Sequence, residues 1–143
     1  MIQRIQSIFL FLAAGASLGL FLLPFASTSE AQADSALFAD AAFNVQDNTI
    51  MMGIFALCGL LLFVNIFLFN NRKLQMKVTM FSILLVIAGA CFAVYSVSQD
   101  AAMKLAEPDT GVALPILALI FGFLAHRYIN KDEKLVKSVD RLR

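Results

Sequence analysis

Few residues in this chain carry functional groups suited to chemistry, and their spacing argues against a reaction centre. The one histidine, His126, has no second histidine or cysteine at ligand spacing, so no metal or haem site is expected. Cys58 and Cys91 lie inside long apolar runs and form no CxxC pair. They read as small buried hydrophobes rather than as a disulfide or a redox couple. Ser82 and Ser96 have no base nearby in sequence and are expected to hydrogen-bond backbone carbonyls. No carboxylate pair is placed for acid–base work, no Asp or Glu interrupts an apolar run, and no glycine-rich phosphate loop is present. These negatives argue against both an enzyme and an ion-coupled transporter, and they imply no cofactor.

The elements around these residues are those of a membrane protein. Of the 143 residues, 60% are hydrophobic and 15% charged, and the mean hydropathy is +0.81. Soluble domains average about 45–50% apolar and about 25% charged. The apolar residues fall in four long runs, at about 5–26, 49–69, 78–97 and 112–129. Each is close to the roughly 20 residues that a membrane-crossing helix needs. The fold expected is an all-α, four-helix transmembrane bundle in one domain, with short connections favouring antiparallel neighbours.

Orientation follows from charge. Asn70-Asn71-Arg72-Lys73-Leu74-Gln75-Met76-Lys77 is a short basic break between the second and third runs, and reads as a cytoplasmic turn. On the same side fall Arg4, Arg127, Lys131, Lys134, Lys137, Arg141 and Arg143, whereas Lys104 is alone opposite. With three acids on the first side and seven on the second, the two faces carry +7 and −6 although the chain as a whole is only +1. Such a bias places both termini in the cytoplasm, at the inner membrane. Arg4, the first apolar run and Ala31-Gln32-Ala33 mimic a signal peptide, but the run is longer than the about 7–15 residues of a signal core. An uncleaved helix is expected.

Residues 27–48 form an acidic outer loop. Leu37 with Ala41, and Phe38 with Ala42, fall at helical spacing behind a possible cap at Asp34 or Ser35. A short helix lying on the outer interface is expected there, with a ligand-gripping loop as the alternative. Glu107-Pro108-Asp109-Thr110-Gly111 reads as a turn. Asn65, one turn before the basic break, is expected either to hydrogen-bond a neighbouring helix or to be hydrated at the interface. Small residues at four-residue spacing, Gly15 with Gly19, Gly89 with Ala93 and Ala118 with Gly122, suit close helix packing. The first pair also offers a seam for a homodimer. The tail, residues 130–143, reads as a charged cytoplasmic extension of the fourth helix, with Glu133 and Lys137 as an ion pair. Its apolar stripe of Leu135, Val139 and Leu142 would lie on headgroups or on a partner.

Three cytoplasmic segments together resemble one family. They are Met1-Ile2-Gln3-Arg4-Ile5-Gln6, then Asn71-Arg72-Lys73-Leu74-Gln75-Met76-Lys77, and then the closing run from Lys131 through Asp132, Glu133, Lys134 and Leu135 to Arg143. The family is the Bacteroidota membrane-protein family catalogued as domain of unknown function 4293. The likeness covers the whole chain and implies a small inner-membrane protein of a Gram-negative lineage. It brings no activity, cofactor or catalytic residue.

The function these observations favour is a non-catalytic accessory or scaffold protein. It would dock a protein partner or anionic lipid through Arg72, Lys73, Lys77, Arg127, Lys131, Lys134, Lys137, Arg141 and Arg143. The alternative is a carrier or binder of a quinone or lipid within the bundle, with some of the 14 phenylalanines as its lining. Nucleic-acid binding would need a denser basic patch with aromatic or polar readers, so nucleic acid is not an expected partner.

Overall fold

The computed structural model describes the backbone of residues 3–140 and the side chains of residues 5–138. Arg141 and Arg143 lie outside the described residues, as does the side chain of Arg4. Four helices form the body: α1 (Gln3–Gly19), α2 (Thr49–Asn65), α3 (Arg72–Gln99) and α4 (Ala113–Asp140). Three stretches, Thr49–Asn70, Arg72–Gln99 and Thr110–Ser138, are long and apolar enough to cross a membrane. Each helix packs on its sequence neighbour, and α1 closes the bundle against α4.

The first apolar run does not form a helix over its whole length. α1 stops at Gly19, and its 17 residues rise only about 25 Å. The amides of Phe21 and Leu22 still turn back to Leu18 and Gly19, at 3.1 and 3.0 Å, and then Pro24 ends the possibility of helix. From there the chain becomes the middle strand of a small antiparallel sheet. β1 (Ala26–Ser27) lies between β2 (Ala42–Phe43) and β3 (Glu107–Pro108), with Ala26 opposite both Phe43 and Pro108. Apolar composition carried the expected span to residue 26, but these residues extend beside strands from two distant loops.

The outer loop is ordered and contains no helix at residues 36–43. Ser35 does act like a helix cap, its Oγ accepting from the amides of Leu37 and Phe38 at 3.2 and 2.9 Å. No helix follows, because Ala41 adopts φ 65°, a left-handed conformation that interrupts the helical spacing. Phe38 and Phe43 are fully buried and their ring centroids lie 6.2 Å apart, with Phe25 a further 6.4 Å from Phe43. They complete one core cluster with Leu20, Met51, Phe55 and Ala93. A second cluster, of Leu10, Cys58, Leu62, Val86 and Ile129 among others, fills the rest of the bundle.

The basic break is also tighter than a turn of eight residues. A 3-10 segment (Ile66–Asn70) follows α2 across a kink at Leu68, with φ −82° and ψ 19°, and Asn71 then leaves the helical region, with φ −122° and ψ 79°. Its side chain accepts from the amide of Leu74 at 3.2 Å and caps α3. Arg72, Lys73 and Lys77 therefore stand in the first two turns of a helix and not in a loop. At the other end α4 runs unbroken from Ala113 to Asp140, so the tail continues the helix as expected, with Lys137 3.1 Å from Glu133.

Gly111 fixes where β3 and the start of α4 meet the end of α1. A Cβ there would sit 2.2 Å from the carbonyl oxygen of Pro24, an atom of the backbone that receives the Gly111 amide at 2.9 Å. Gly15, by contrast, has nothing within 4 Å of its ideal Cβ. Gly111→Ala is expected to destabilise the protein by about 1–3 kcal/mol, as overpacking does. Gly15→Ala should be neutral or stabilise by up to about 1 kcal/mol through helix propensity. Thermal unfolding of both variants in one detergent checks the contrast.

Candidate functional site

Each helix turns one stripe of residues inward, and the stripes change character along the bundle. In α1 the stripe is Gln6, Leu10, Ala13, Ser17 and Leu20; in α2 it is Met51, Phe55, Cys58, Leu62 and Asn65. In α3 it runs from Gln75 and Thr79 through Val86 to Ala93, and in α4 from Ala118 through Ala125 and Ile129 to Asp132. Towards the sheet the stripes are apolar. At the opposite end every one of them finishes on a polar side chain.

Asn65 is fully buried there, which decides between the two sequence readings in favour of the interhelical bond. Its Nδ2 donates to Thr79 Oγ1 at 2.8 Å and to the Gln75 carbonyl at 3.2 Å. Gln75 answers by donating from Nε2 to the Asn65 carbonyl at 3.0 Å, and Thr79 Oγ1 donates to the Gln75 carbonyl at 2.8 Å. The pair closes the tight α2–α3 connection with side-chain amides. Asn65 Oδ1, Gln75 Oε1 and both amide atoms of Gln6 are buried with no hydrogen-bond partner, so this end of the core carries unmet polar capacity. Amides neither take up nor release protons in the working pH range, so the layer can orient and recognise but cannot serve as acid or base.

Around this layer lie the cations. Helices α3 and α4 run antiparallel, since Val97 near the end of α3 shares a groove with Val112 just before α4 while Gly122 meets Ile83 at 3.1 Å from its ideal Cβ, and this brings the start of α3 level with the end of α4. Lys73, Lys77, Arg127, Lys131, Lys134 and Lys137 are exposed, and Arg72 is half-buried with its Nε lacking a hydrogen-bond partner. Among the described residues the only salt bridge is Glu133 to Lys137. Asp132, read from sequence as a solvated tail charge, is only 6% exposed. Sequence reasoning missed Gln6, Gln75 and Asp132 as interior residues. The signal was available, because each falls three or four residues from a buried neighbour on its own stripe, or begins one.

The small-residue positions divide. Gly89 faces Phe55, whose ring would lie 2.8 Å from an added Cβ, and Ala93 and Ala118 are buried. Gly19 faces Leu114 at 3.3 Å, whereas Gly15 faces open space and packs on nothing in its own chain. A closer approach falls at Gly59, which no four-residue pair marked: an added Cβ would meet Leu18 at 2.6 Å. Cys58 is buried beside Ser17 Oγ at 3.7 Å, but Cys91 is exposed, which corrects its expected burial. Ser82 and Ser96 donate to the carbonyls of Val78 and Phe92, both at 2.9 Å, as their sequence positions suggested.

At the sheet end Asp100 ties the two outer loops together. Its Oδ1 accepts from Ser35 Oγ at 2.7 Å and from the Ala102 amide at 2.9 Å. Burial pushes this carboxyl up, but the Ser35 hydroxyl and the amides of Ala102 and Leu37 outweigh it and hold the group below the usual carboxylate range.

A bundle of four helices, three of them apolar enough to span a membrane, places the chain among small helical membrane-type proteins. Within that class it belongs to the family described as Domain of unknown function (DUF4293), whose model matches residues 2–142. No curated protein matches it, and no solved structure does.

Two outcomes follow. Asn65→Ala and Thr79→Val should each lower stability in detergent, and the double variant should lose less than their sum, with a coupling of about 0.6 kcal/mol, typical of bonds between apolar helices. Strict additivity would mean the bond contributes nothing. A depressed carboxyl stabilises above its unfolded pKa of about 3.9 and loses that contribution as pH falls through the lower folded value. Asp100→Asn should thus reduce the melting temperature at pH 7, and the gap from wild type should narrow below about pH 4.

Proposed function

We propose that this protein is a non-catalytic, multi-pass component of the inner membrane, with both termini in the cytoplasm, that docks a protein partner or anionic lipid on its basic end. The observation that carries the reading is the position of the cations. Arg72 and Lys73 stand in the first turn of α3, where the helix dipole disfavours positive charge by about 0.3–1 kcal/mol each, and Lys77 follows in the second turn. Nothing in the described chain offsets them, since the single ion pair lies on α4. A bound anion would convert this local cost into affinity. The positive-inside rule explains the sign of the charge but not its concentration beside an unmet amide layer.

The continuous α4 sharpens the choice of occupant for the tail. A helix that leaves the bundle along its own axis cannot also lie flat on headgroups, so exposed Leu135 and Val136 favour a protein partner for that segment. A ligand inside the bundle finds less support. Asn65 is engaged with Thr79, and Tyr95 is 60% exposed on the outer surface of α3.

The test is a mild-detergent purification from native membranes through a tag in the outer loop, with Arg72, Lys73 and Lys77 replaced together by Gln. The expected outcome is a stoichiometric partner or tightly held anionic lipid with the wild type, and its loss, by roughly a hundredfold for three cations at about 1 kcal/mol each, with the variant. Equal recovery from both, with insertion unchanged, would refute the docking role.

A further inference from the structure

At the end opposite the cations, a groove of about 320 Å³ opens between the last turns of α3 and the loop that carries β3. Ala93 and Val97 form its α3 wall, with Met103 and Val112 across from them, and Glu107 and Ser98 supply its polar side chains. The volume is at the lower bound of small-ligand sites, which run from about 300 Å³ and are mostly apolar with a few placed polar groups. Three observations narrow the occupant. First, the lining is apolar apart from Glu107 and Ser98, which suits an amphiphile and not a free polar solute. Second, the other two acids of this loop are already engaged: Asp100 accepts from Ser35 at 2.7 Å and Asp109 from the Thr110 amide at 2.6 Å. Glu107 is exposed and in no salt bridge, and the nearby cation Lys104 does not line the groove. Third, the whole end carries seven acids against one lysine, so it repels anionic headgroups.

We infer that this groove is a lipid site selective for a headgroup with a free ammonium, of the phosphatidylethanolamine type, with Glu107 as the headgroup acceptor. An ammonium donates hydrogen bonds to a carboxylate, whereas a choline headgroup bears the same charge with no N–H to donate. The acyl chain lies along Val97 and Val94, continuous with the apolar outer surface of α3. The inference rests on the proposed membrane insertion but not on docking at the basic end, because the two sites share no residue.

The experiment is native mass spectrometry of the full chain in mild detergent, titrated separately with phosphatidylethanolamine, phosphatidylcholine and phosphatidylglycerol of identical acyl chains. Phosphatidylethanolamine should be retained over phosphatidylcholine, and over phosphatidylglycerol once Arg72, Lys73 and Lys77 are Gln, by up to about fivefold, the scale of a partly exposed charge-assisted pair. Glu107→Gln should bring it down to the phosphatidylcholine level while leaving phosphatidylcholine unchanged. Val97→Phe, which fills the groove, should reduce all binding there, and Met103→Trp fills it from the opposite wall should the first variant unfold. Equal retention of the three lipids, or unchanged selectivity in Glu107→Gln, would overturn the assignment. Preferential retention of phosphatidylglycerol that persists when Arg72, Lys73 and Lys77 become Gln would overturn it too, because an anionic headgroup would then be held away from the basic end.

Discussion

The structure depends on how the apolar segment that follows its first helix satisfies its backbone. When α1 stops at Gly19, the extended residues beyond it leave carbonyls at the edge of an apolar bundle, where an unpaired polar group costs several kcal/mol. The chain answers by importing partners from two other loops. Asp109 and Gly111 donate to the carbonyls of Phe25 and Pro24 at 3.1 and 2.9 Å, while the Phe25 amide donates to Phe43 at 2.7 Å. Three strands of two residues each would have no stability in isolation. Here they are held because Phe25, Phe38 and Phe43 pack beneath them as part of the core. The same constraint explains why Gly111 has no room for a methyl group.

The two ends of the bundle consequently have different chemistry. The sheet end closes with backbone bonds, aromatic rings and carboxylates, and it leaves one apolar groove at its margin. The other end closes with buried amides from Gln6, Asn65 and Gln75 and is ringed by cations. The bonded amides of Asn65 and Gln75 fix the register of α2 against α3, since sliding either stripe by one turn would strand its polar residue among aliphatic groups.

Much of this was legible from sequence, because hydrophobic run length is a strong signal. The four helices, the unbroken extension of α4, the Glu133–Lys137 pair and the backbone bonds of Ser82 and Ser96 all follow from local spacing. The family resemblance likewise holds across residues 2–142. What was not legible is non-local. Residues 20–26 are as apolar as any helix, and only their pairing with residues 41–43 and 107–111 makes them extended. Leu37, Phe38, Ala41 and Ala42 have helical spacing, but Phe38 is drawn into a core that local periodicity does not report. Asp132 reads as a solvated charge until α4 is seen to carry the inward stripe that far. At Gly15 and Gly19 spacing identifies a bare face but not what the face meets: Gly19 faces Leu114, whereas an added Cβ at Gly15 would meet nothing within 4 Å in its own chain.

The central claim is the orientation of this two-ended bundle in a membrane, and site-directed thiol labelling tests it most directly. With Cys58 and Cys91 replaced by Ala, a single cysteine is introduced at Lys73 or at Glu107, and intact spheroplasts are treated with a membrane-impermeant maleimide. The account predicts that the cysteine at position 107 is modified in intact spheroplasts and the one at position 73 only after permeabilisation. Modification of position 73 from outside, with position 107 protected, would contradict it.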